Sequence, residues 1–377
     1  MTQPEDNLSA RARHRLGYVP ALDGVRGLAI LLVMGNHAPL RQYASLLPGG
    51  FVGVDLFFVL SGYLITTLLM QEFNRTGSIN LRHFYLRRAL RLGPALIALL
   101  VVLCSLSFVL FARAQAEKNC LDALIALFYA SNWVRVFSDN QLGLLAHTWS
   151  LSTEEQFYLV WPVLLLALLR ASSGRRPLLA VAGALALLSW AAAIHLAYKG
   201  ATLIRICFAL DSRADTLMVG CLLGIVLSSG LMTDQVTRRV QKLLPVLAPL
   251  ALACLIGFAI SGNMLGRGLF YYGFVLIALL AATVMLDVMI NPRSRVGRFF
   301  EMKWLIWLGS ISYGLYLWHW PIFYALFYKF HFKGWTVVLT GTPLTFALVL
   351  LSYHLLEMPA LAVKKRFTPD GGARRET

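Results

Sequence analysis

Apolar residues in this chain come in runs of 17 to 25, separated by short polar connections rich in arginine. About 20 apolar residues are needed for a helix to cross the hydrocarbon of a bilayer. Eleven segments approach that length: 22–40, 53–70, 93–111, 121–137, 153–169, 177–198, 206–229, 243–261, 269–290, 304–328 and 335–357. The weakest is 121–137, which starts beside Asp122 and ends in Ser131, Asn132, Trp133 and Arg135. Treating it as a re-entrant or interfacial helix leaves ten spans, and the connections then alternate in charge. One side collects 23 of the 34 Lys and Arg residues: those of the N-tail, of the loops 71–92, 170–176, 230–242 and 291–303, and of the C-tail. Cytoplasmic loops carry the excess of positive charge, so both termini are expected in the cytoplasm. The expected fold is all-α, a polytopic helix bundle of about ten transmembrane helices plus one re-entrant or interfacial helix. Residues 1–21 form a basic cytoplasmic N-tail, 22–366 the membrane domain, and 367–377 a disordered cytoplasmic tail.

Composition agrees. Of 377 residues, 58% are hydrophobic and 14% charged, with a mean hydropathy of +0.67. A soluble domain carries about 25% charge, so a soluble enzyme, a coiled coil and a disordered chain are excluded. The net charge of +16 and the sequence pI near 9.9 suit nucleic acid at first sight. The one-sided distribution assigns them instead to topology and to anionic lipid headgroups, so membrane lipids, not nucleic acid, are the expected partners. Five cysteines form no CxxC pair, and four lie in apolar runs as small core fillers, with Cys120 the exposed one. They imply no disulfide framework and no metal site. The first 21 residues have no apolar core of the kind a cleaved signal carries.

Ionisable residues inside spans are costly and mark function. Arg26 and His37 are eleven positions apart on the first span, about 16 Å along a helix and on one face. They place a cation toward the inner half and an imidazole toward the outer half; a headgroup-capping arginine and a packed core histidine are the alternative. In 82–94, RHFYLRRALRLGP, Arg87, Arg88 and Arg91 adjoin at helical spacing. Guanidinium groups bind phosphate bidentately, which suits a polyphosphate ligand; lipid anchoring is the alternative. In 147–162, HTWSLSTEEQFYLVWP, His147 and Glu154 share a helix face and Glu155 adjoins. Carboxylates there either orient an imidazole or act in acid–base chemistry, or else are the first-turn acids of a helix capped by Ser152. Asp55 lies just inside the second span, and His319, in YGLYLWHWPI, approaches the level of His37. Asp211, Arg213 and Asp215 are expected to neutralise one another, with Arg213 also a candidate for orienting substrate. Glu357 is placed to meet an arginine, and Asp23 lies beside Arg26.

No P-loop, GxSxG elbow, HExxH or dinucleotide-binding glycine pattern occurs, nor the Hx4D spacing of many soluble CoA-dependent acyltransferases. Serine, cysteine and metal mechanisms therefore have no supporting constellation.

Five stretches in order, DGVRGLAILLVMGNHA, GGFVGVDLFFVLSGYLIT, FYLRRALRLGPA, LAHTWSLSTEEQFYLVWP and ISYGLYLWHWPI, resemble the acyltransferase type 3 family of bacterial membrane enzymes over about residues 18–366. The resemblance implies transfer of an acyl group, mostly acetyl, from cytoplasmic acyl-CoA to an extracytoplasmic glycan: surface polysaccharide, lipopolysaccharide or peptidoglycan. A smaller branch acylates antibiotics such as macrolides. The family's Arg-x10-His motif falls on Arg26 and His37, and its RxxR motif on Arg88 and Arg91. What this implies is acyl-CoA as a co-substrate with no permanently bound cofactor, its phosphates near Arg87, Arg88 and Arg91. His37, Arg26 and Glu154 are the expected catalytic group; Asp55, His147, Glu155, His319 and Arg213 are expected to bind or orient substrate. Many relatives that modify peptidoglycan or O-antigen carry a fused C-terminal SGNH domain. The sequence to residue 377 has none, so a separate periplasmic SGNH-type partner is one expectation. A secondary transporter is the rival class, although no internal repeat is evident.

Overall fold

A computed structural model describes residues 17–41, 44–171, 174–262, 268–364 and 367. The basic N-tail through residue 16 and the C-terminal tail expected to be disordered lie, apart from residue 367, outside the described residues. In chain order the helices are α1 (Pro20–His37), α2 (Val52–Thr76), α3 (Leu81–Leu110), α4 (Arg113–Leu127), α5 (Ser131–Phe137), α6 (Trp149–Ala171), α7 (Arg176–Tyr198) and α8 (Leu203–Phe208). They continue with α9 (Ala214–Ser228), α10 (Asp234–Ser261), α11 (Phe274–Ile290), α12 (Arg295–Phe300), α13 (Lys303–Ser310), α14 (Ser312–Tyr324), α15 (Trp335–Ser352) and α16 (Met358–Lys364). One small antiparallel pair, β1 (Pro39–Arg41) with β2 (Ala44–Ser45), follows α1.

Among the described residues, six helices are long and apolar enough to cross a membrane: α2, α3, α7, α10, α11 with its leading turn, and α15 with its continuation through α16. A seventh crossing is possible at α4 and α5, which bend by 120°. That bend is the observed form of the 121–137 segment. The expected count of ten is not reached by this measure. Three expected spans, α1, α6 and the α13–α14 pair, carry the polar residues of the protein's interior or are broken into short pieces. Their polar side chains lower the mean hydropathy below that of a helix apolar on every face. The 206–229 segment is likewise broken, at α8 and α9, by the turn Leu210–Ser212.

Close helix approach comes from glycine. A β-carbon on Gly62 would lie 2.0 Å from the Leu217 carbonyl oxygen, and one on Gly220 would lie 2.1 Å from that of Val59. The register, with Asp55 at Arg213, Val59 and Tyr63 at Gly220, and Tyr63 and Thr66 at Gly224, makes α2 and α9 parallel and in backbone contact. In a bilayer, where apolar burial supplies little drive between helices, such small-residue seams hold them together. Helix α1 is central. Gly24 and Gly27 meet the carbonyls of Phe300 and Leu305, which places α1 against α12 and α13. On its other face, Ala29 meets Gly53 of α2.

Three of the connections grouped by their positive charge, 71–92, 170–176 and the C-tail, meet. Arg170 donates to Ser78, Arg175 to Asn74, and Arg87 to the carbonyl of Phe367. All described cysteines are free thiols, and Cys254 rather than Cys120 is the exposed one. It faces outward from an apolar helix, where exposure means lipid, so an apolar context in sequence does not imply a core position.

Candidate active site

A cavity of about 380 Å³ opens among α1, α2, α3, α6 and α14. Arg26, Glu72, Arg87, Arg88, Arg91, Glu154 and Tyr158 line its polar wall, and Ser150, Ser312, Tyr313 and Tyr316 close one flank. The rest is mostly aliphatic and phenyl surface from α2, with Ser61 of that helix, Phe84 and Leu92 of α3, and Leu151 of α6. Arg26 is tethered to Asp23, one turn earlier on α1, at 2.5 Å, as their adjacency suggested. Asn80 caps α3 by accepting from the His83 backbone N–H, and the helix runs unbroken through Pro94. Arg87, Arg88 and Arg91 are thereby presented on a rigid element.

The three arginines are not equivalent. Arg87 pairs with Glu72 at 3.3 Å. Arg88 binds Glu155 through Nε at 2.6 Å and Nη2 at 2.5 Å, and its guanidinium lies 3.4 Å over the Tyr158 ring. Arg91 forms no ion pair among the described residues and stays accessible where it lines the cavity. Two cations are thus locked by carboxylates and stacking, and the third is open to an anion. Glu154 accepts hydrogen bonds from the hydroxyls of Ser61 and Tyr158. Glu357 lies beyond: its Oε1 is buried and has no hydrogen-bond partner, and the arginine whose charge acts on it is Arg91.

This arrangement brings together what the sequence pattern had set apart. Glu154 and Glu155 were expected at the outer opening and the arginines at the inner one. Helix α6 instead descends antiparallel to α3, and the Arg88–Glu155 contact puts both sets in one chamber. Helix α6 begins at Trp149, so Ser152 is no cap; it sits in the first turn, where its hydroxyl accepts from the Ser131 N–H.

Above the chamber lies a cluster of three imidazoles. Nδ1 of His37 is 2.8 Å from Nε2 of His319, the two rings lying edge to edge with planes within 8° and centroids 5.1 Å apart. Nδ1 of His319 is 2.8 Å from the carbonyl of Leu315, one turn back on α14. His147, from the turn Gly143–Thr148, is buried 5.8 Å from the His319 ring, and neither of its nitrogens has a hydrogen-bond partner. His319 is fully buried, while His37 retains some accessibility. Between cluster and chamber stand Tyr316 and Ser150. Tyr316 donates to the His147 carbonyl at 2.5 Å and accepts from the Ser150 hydroxyl at 2.6 Å. His37 itself does not line the cavity. Its partner is His319, not Glu154.

On the far side of His37, Trp320 packs edge-on at 4.6 Å and donates to the Gly143 carbonyl. Tyr324 and Tyr328 continue that helix face, with ring centroids 5.9 Å and 4.5 Å apart in succession. Tyr328 is 58% exposed. Arg135 is fixed beside the cluster by donating to the Ala146 carbonyl and stacking on Phe208. An amide pair, Gln156 with Asn132, locks α5 onto α6.

Asp55 and Arg213 do not join either region. They form a fully buried ion pair with each other, and the guanidinium lies 3.6 Å from the Phe274 ring centroid. The mutual neutralisation expected for Asp211, Arg213 and Asp215 is therefore corrected: Asp211 is held by Arg205, which donates at 2.8 Å and 2.5 Å. The turn Leu210–Ser212 carries Asp211 away, while buried Asp215 stays within electrostatic reach of Arg213 as expected. Among the described residues no group of three or more His, Cys, Asp or Glu is arranged to hold a metal ion. Tyr316, Tyr158, Ser61, Glu72, Trp320 and Tyr324 went unrecognised in the sequence. Aromatic and hydroxyl residues are common in apolar spans, and the one signal available for three of them was the i, i+4 spacing of Tyr316, Trp320 and Tyr324 on one face.

A family described as an acyltransferase domain matches residues 19–354. The chain belongs to this acyltransferase family. It is 36% identical over 318 residues to the peptidoglycan O-acetyltransferase OatA of Listeria monocytogenes, covering 82% of this chain and 50% of that protein. It is 32% identical over 352 residues to the O-acetyltransferase OatA of Staphylococcus aureus, covering 91% of this chain and 57% of that protein. The chain thus spans about half the length of these curated relatives. No solved structure matches it.

Proposed function

We propose that this protein is an integral-membrane O-acyltransferase of a bacterial inner membrane, with both termini cytoplasmic. It moves an acetyl group from cytoplasmic acyl-CoA to a hydroxyl of an extracytoplasmic cell-envelope carbohydrate, peptidoglycan being the substrate class named for its relative in Listeria. The observation that carries this reading is the stacking of two chemically distinct compartments along α1: an arginine-lined chamber at Arg26 and an imidazole cluster at His37.

In this reading the phosphates of acyl-CoA dock at Arg91, with Arg87 and Arg88 shaping the chamber mouth, and the acylated arm runs past Tyr313 toward Tyr316. Arg26, held by Asp23 at the inner part of the chamber, orients the acyl-CoA arm on its way to His37. His37 takes the proton of the acceptor hydroxyl. The hydroxyl oxygen bonds to the acyl carbon, the carbon–sulfur bond breaks, and the departing thiolate recovers the proton from His37. The rings of Trp320, Tyr324 and Tyr328 supply flat faces for a sugar arriving from outside. Such rings combine a large apolar area with a polar tip. Direct transfer and passage through an acyl-histidine differ only in whether His37 attacks the thioester first. Delivery of the acetyl group to a separate periplasmic SGNH-type protein fits the same geometry.

The test uses membranes containing the protein, radiolabelled acetyl-CoA and peptidoglycan glycan. Label should become covalently attached to glycan, and His37→Gln at equal abundance should lower that rate by about 10²–10⁴-fold. Movement of an unmodified substrate without covalent labelling would make the protein a transporter.

A further inference from the structure

The hydrogen bonds of the imidazole cluster fix where its protons are. The Leu315 carbonyl only accepts, so the His319 nitrogen 2.8 Å from it, Nδ1, carries a proton. A neutral imidazole has one such proton, which leaves Nε2 of His319 as a bare lone pair. That lone pair faces Nδ1 of His37 at 2.8 Å, so His37 must donate there. His37 then holds its single proton on Nδ1, and its Nε2 is unprotonated. Among the described residues no carboxylate bonds to either ring, and a cation, Arg135, is anchored on the carbonyl of the residue before His147. A charged His319 would be buried without a counter-charge, which supports the neutral chain of donors.

We propose that His319 is a positioning residue that locks His37 in the Nδ1–H tautomer, making Nε2 the nitrogen that accepts the acceptor's proton. The opposite tautomer would aim a proton at the hydroxyl and could not act as a base. The logic is that of a histidine whose second nitrogen is oriented by a neighbouring acceptor, with a neutral imidazole backed by a main-chain carbonyl in place of a carboxylate. The Nδ1–H···Nε2 bond persists when Nε2 of His37 takes up the proton, so His319 holds the ring steady through the cycle. It exchanges no proton itself. Backing by the carbonyl also explains why a fully buried histidine sits mid-helix: both its nitrogens are satisfied.

The inference rests on His37 being the base, and the experiment separates the two. The full-length protein is reconstituted in lipid nanodiscs and assayed with acetyl-CoA and a soluble peptidoglycan glycan fragment. In His319→Gln, the amide oxygen falls where Nε2 was and accepts from His37, so most of kcat should remain. In His319→Leu no acceptor remains, and kcat should fall about 10–100-fold with KM for acetyl-CoA unchanged. Adding His319→Leu to His37→Gln should cost nothing more, because both act on one proton. Equal losses in the Gln and Leu variants at unchanged acetyl-CoA binding would overturn the proposal. So would full activity in His319→Leu. Full activity in His37→Gln would instead overturn the base assignment. Should His319→Leu fail to fold, nitrogen-15 spectra of the wild-type protein decide. An unprotonated Nε2 signal that disappears in His37→Gln supports the tautomer, and a protonated one refutes it.

Discussion

Asp55 and Arg213 stand at the centre of the bundle as a structural pair, and their replacement gives a sharp test of that assignment. Asp55 is 0% and Arg213 2% exposed, so neither charge has solvent to fall back on. Removing one partner of such a pair costs about 3–5 kcal/mol, mainly because the other charge is left buried and uncompensated. Asp55→Asn keeps shape and a hydrogen-bond acceptor but removes the carboxylate that bonds the guanidinium, leaving only the more distant charge of Asp215. The aromatic face of Phe274 at 3.6 Å remains as partial compensation, a cation–π contact of roughly 2 kcal/mol when desolvated. The expected loss is therefore at the lower end, about 3 kcal/mol, or roughly two powers of ten in the folding equilibrium. Arg213→Leu leaves an uncompensated carboxylate with no ring to stack on and should cost more. The double variant Asp55→Leu/Arg213→Leu should recover much of the loss, since paired apolar side chains replace paired charges. Thermal unfolding in a mild detergent, followed by the retention of a monodisperse elution peak, reads all four proteins. Additive losses in the double variant would refute the pairing argument. An Asp55→Asn protein of wild-type stability with a raised acceptor KM would return Asp55 to the substrate site.

Further expectations concern the seam and the chamber. Gly220→Val should abolish the backbone contact between α2 and α9 and prevent accumulation of folded protein. Gly220→Ala, whose β-carbon meets the Val59 carbonyl at 2.1 Å, should cost about 1–3 kcal/mol by overpacking, read by the same unfolding assay. Arg91→Ala should weaken acetyl-CoA binding by about 1.5–3 kcal/mol, a loss of roughly ten- to a hundredfold measured by equilibrium binding, while leaving thermal stability unchanged. Arg88→Lys should fail to rescue Arg88→Ala, because an ammonium cannot both fork onto Glu155 and stack on Tyr158; wild-type thermal stability in Arg88→Lys would count against it.

What sequence alone determined is the one-dimensional part of the problem. Apolar run lengths and the asymmetry of arginine between alternate connections gave a membrane helix bundle, the grouping of three of its basic connections, and a short roster of polar residues that lipid would not tolerate. Arg26, His37, Arg88, Glu154 and His319 were all on it. Partner choice was decided in three dimensions. His37 meets a histidine 282 positions away, Asp55 an arginine 158 away, and Arg88 a glutamate 67 away. The reason is that spacing along one helix fixes which face a residue shares, whereas the depth at which two helices cross fixes which residues touch. That depth is set by glycine seams and antiparallel packing, and carries no periodic signature. The same physics made the span count elusive. Helices lining the interior, α1 and α6 above all, turn one face toward their neighbours, and that covered face is free to carry the polar side chains that hydropathy counts against them.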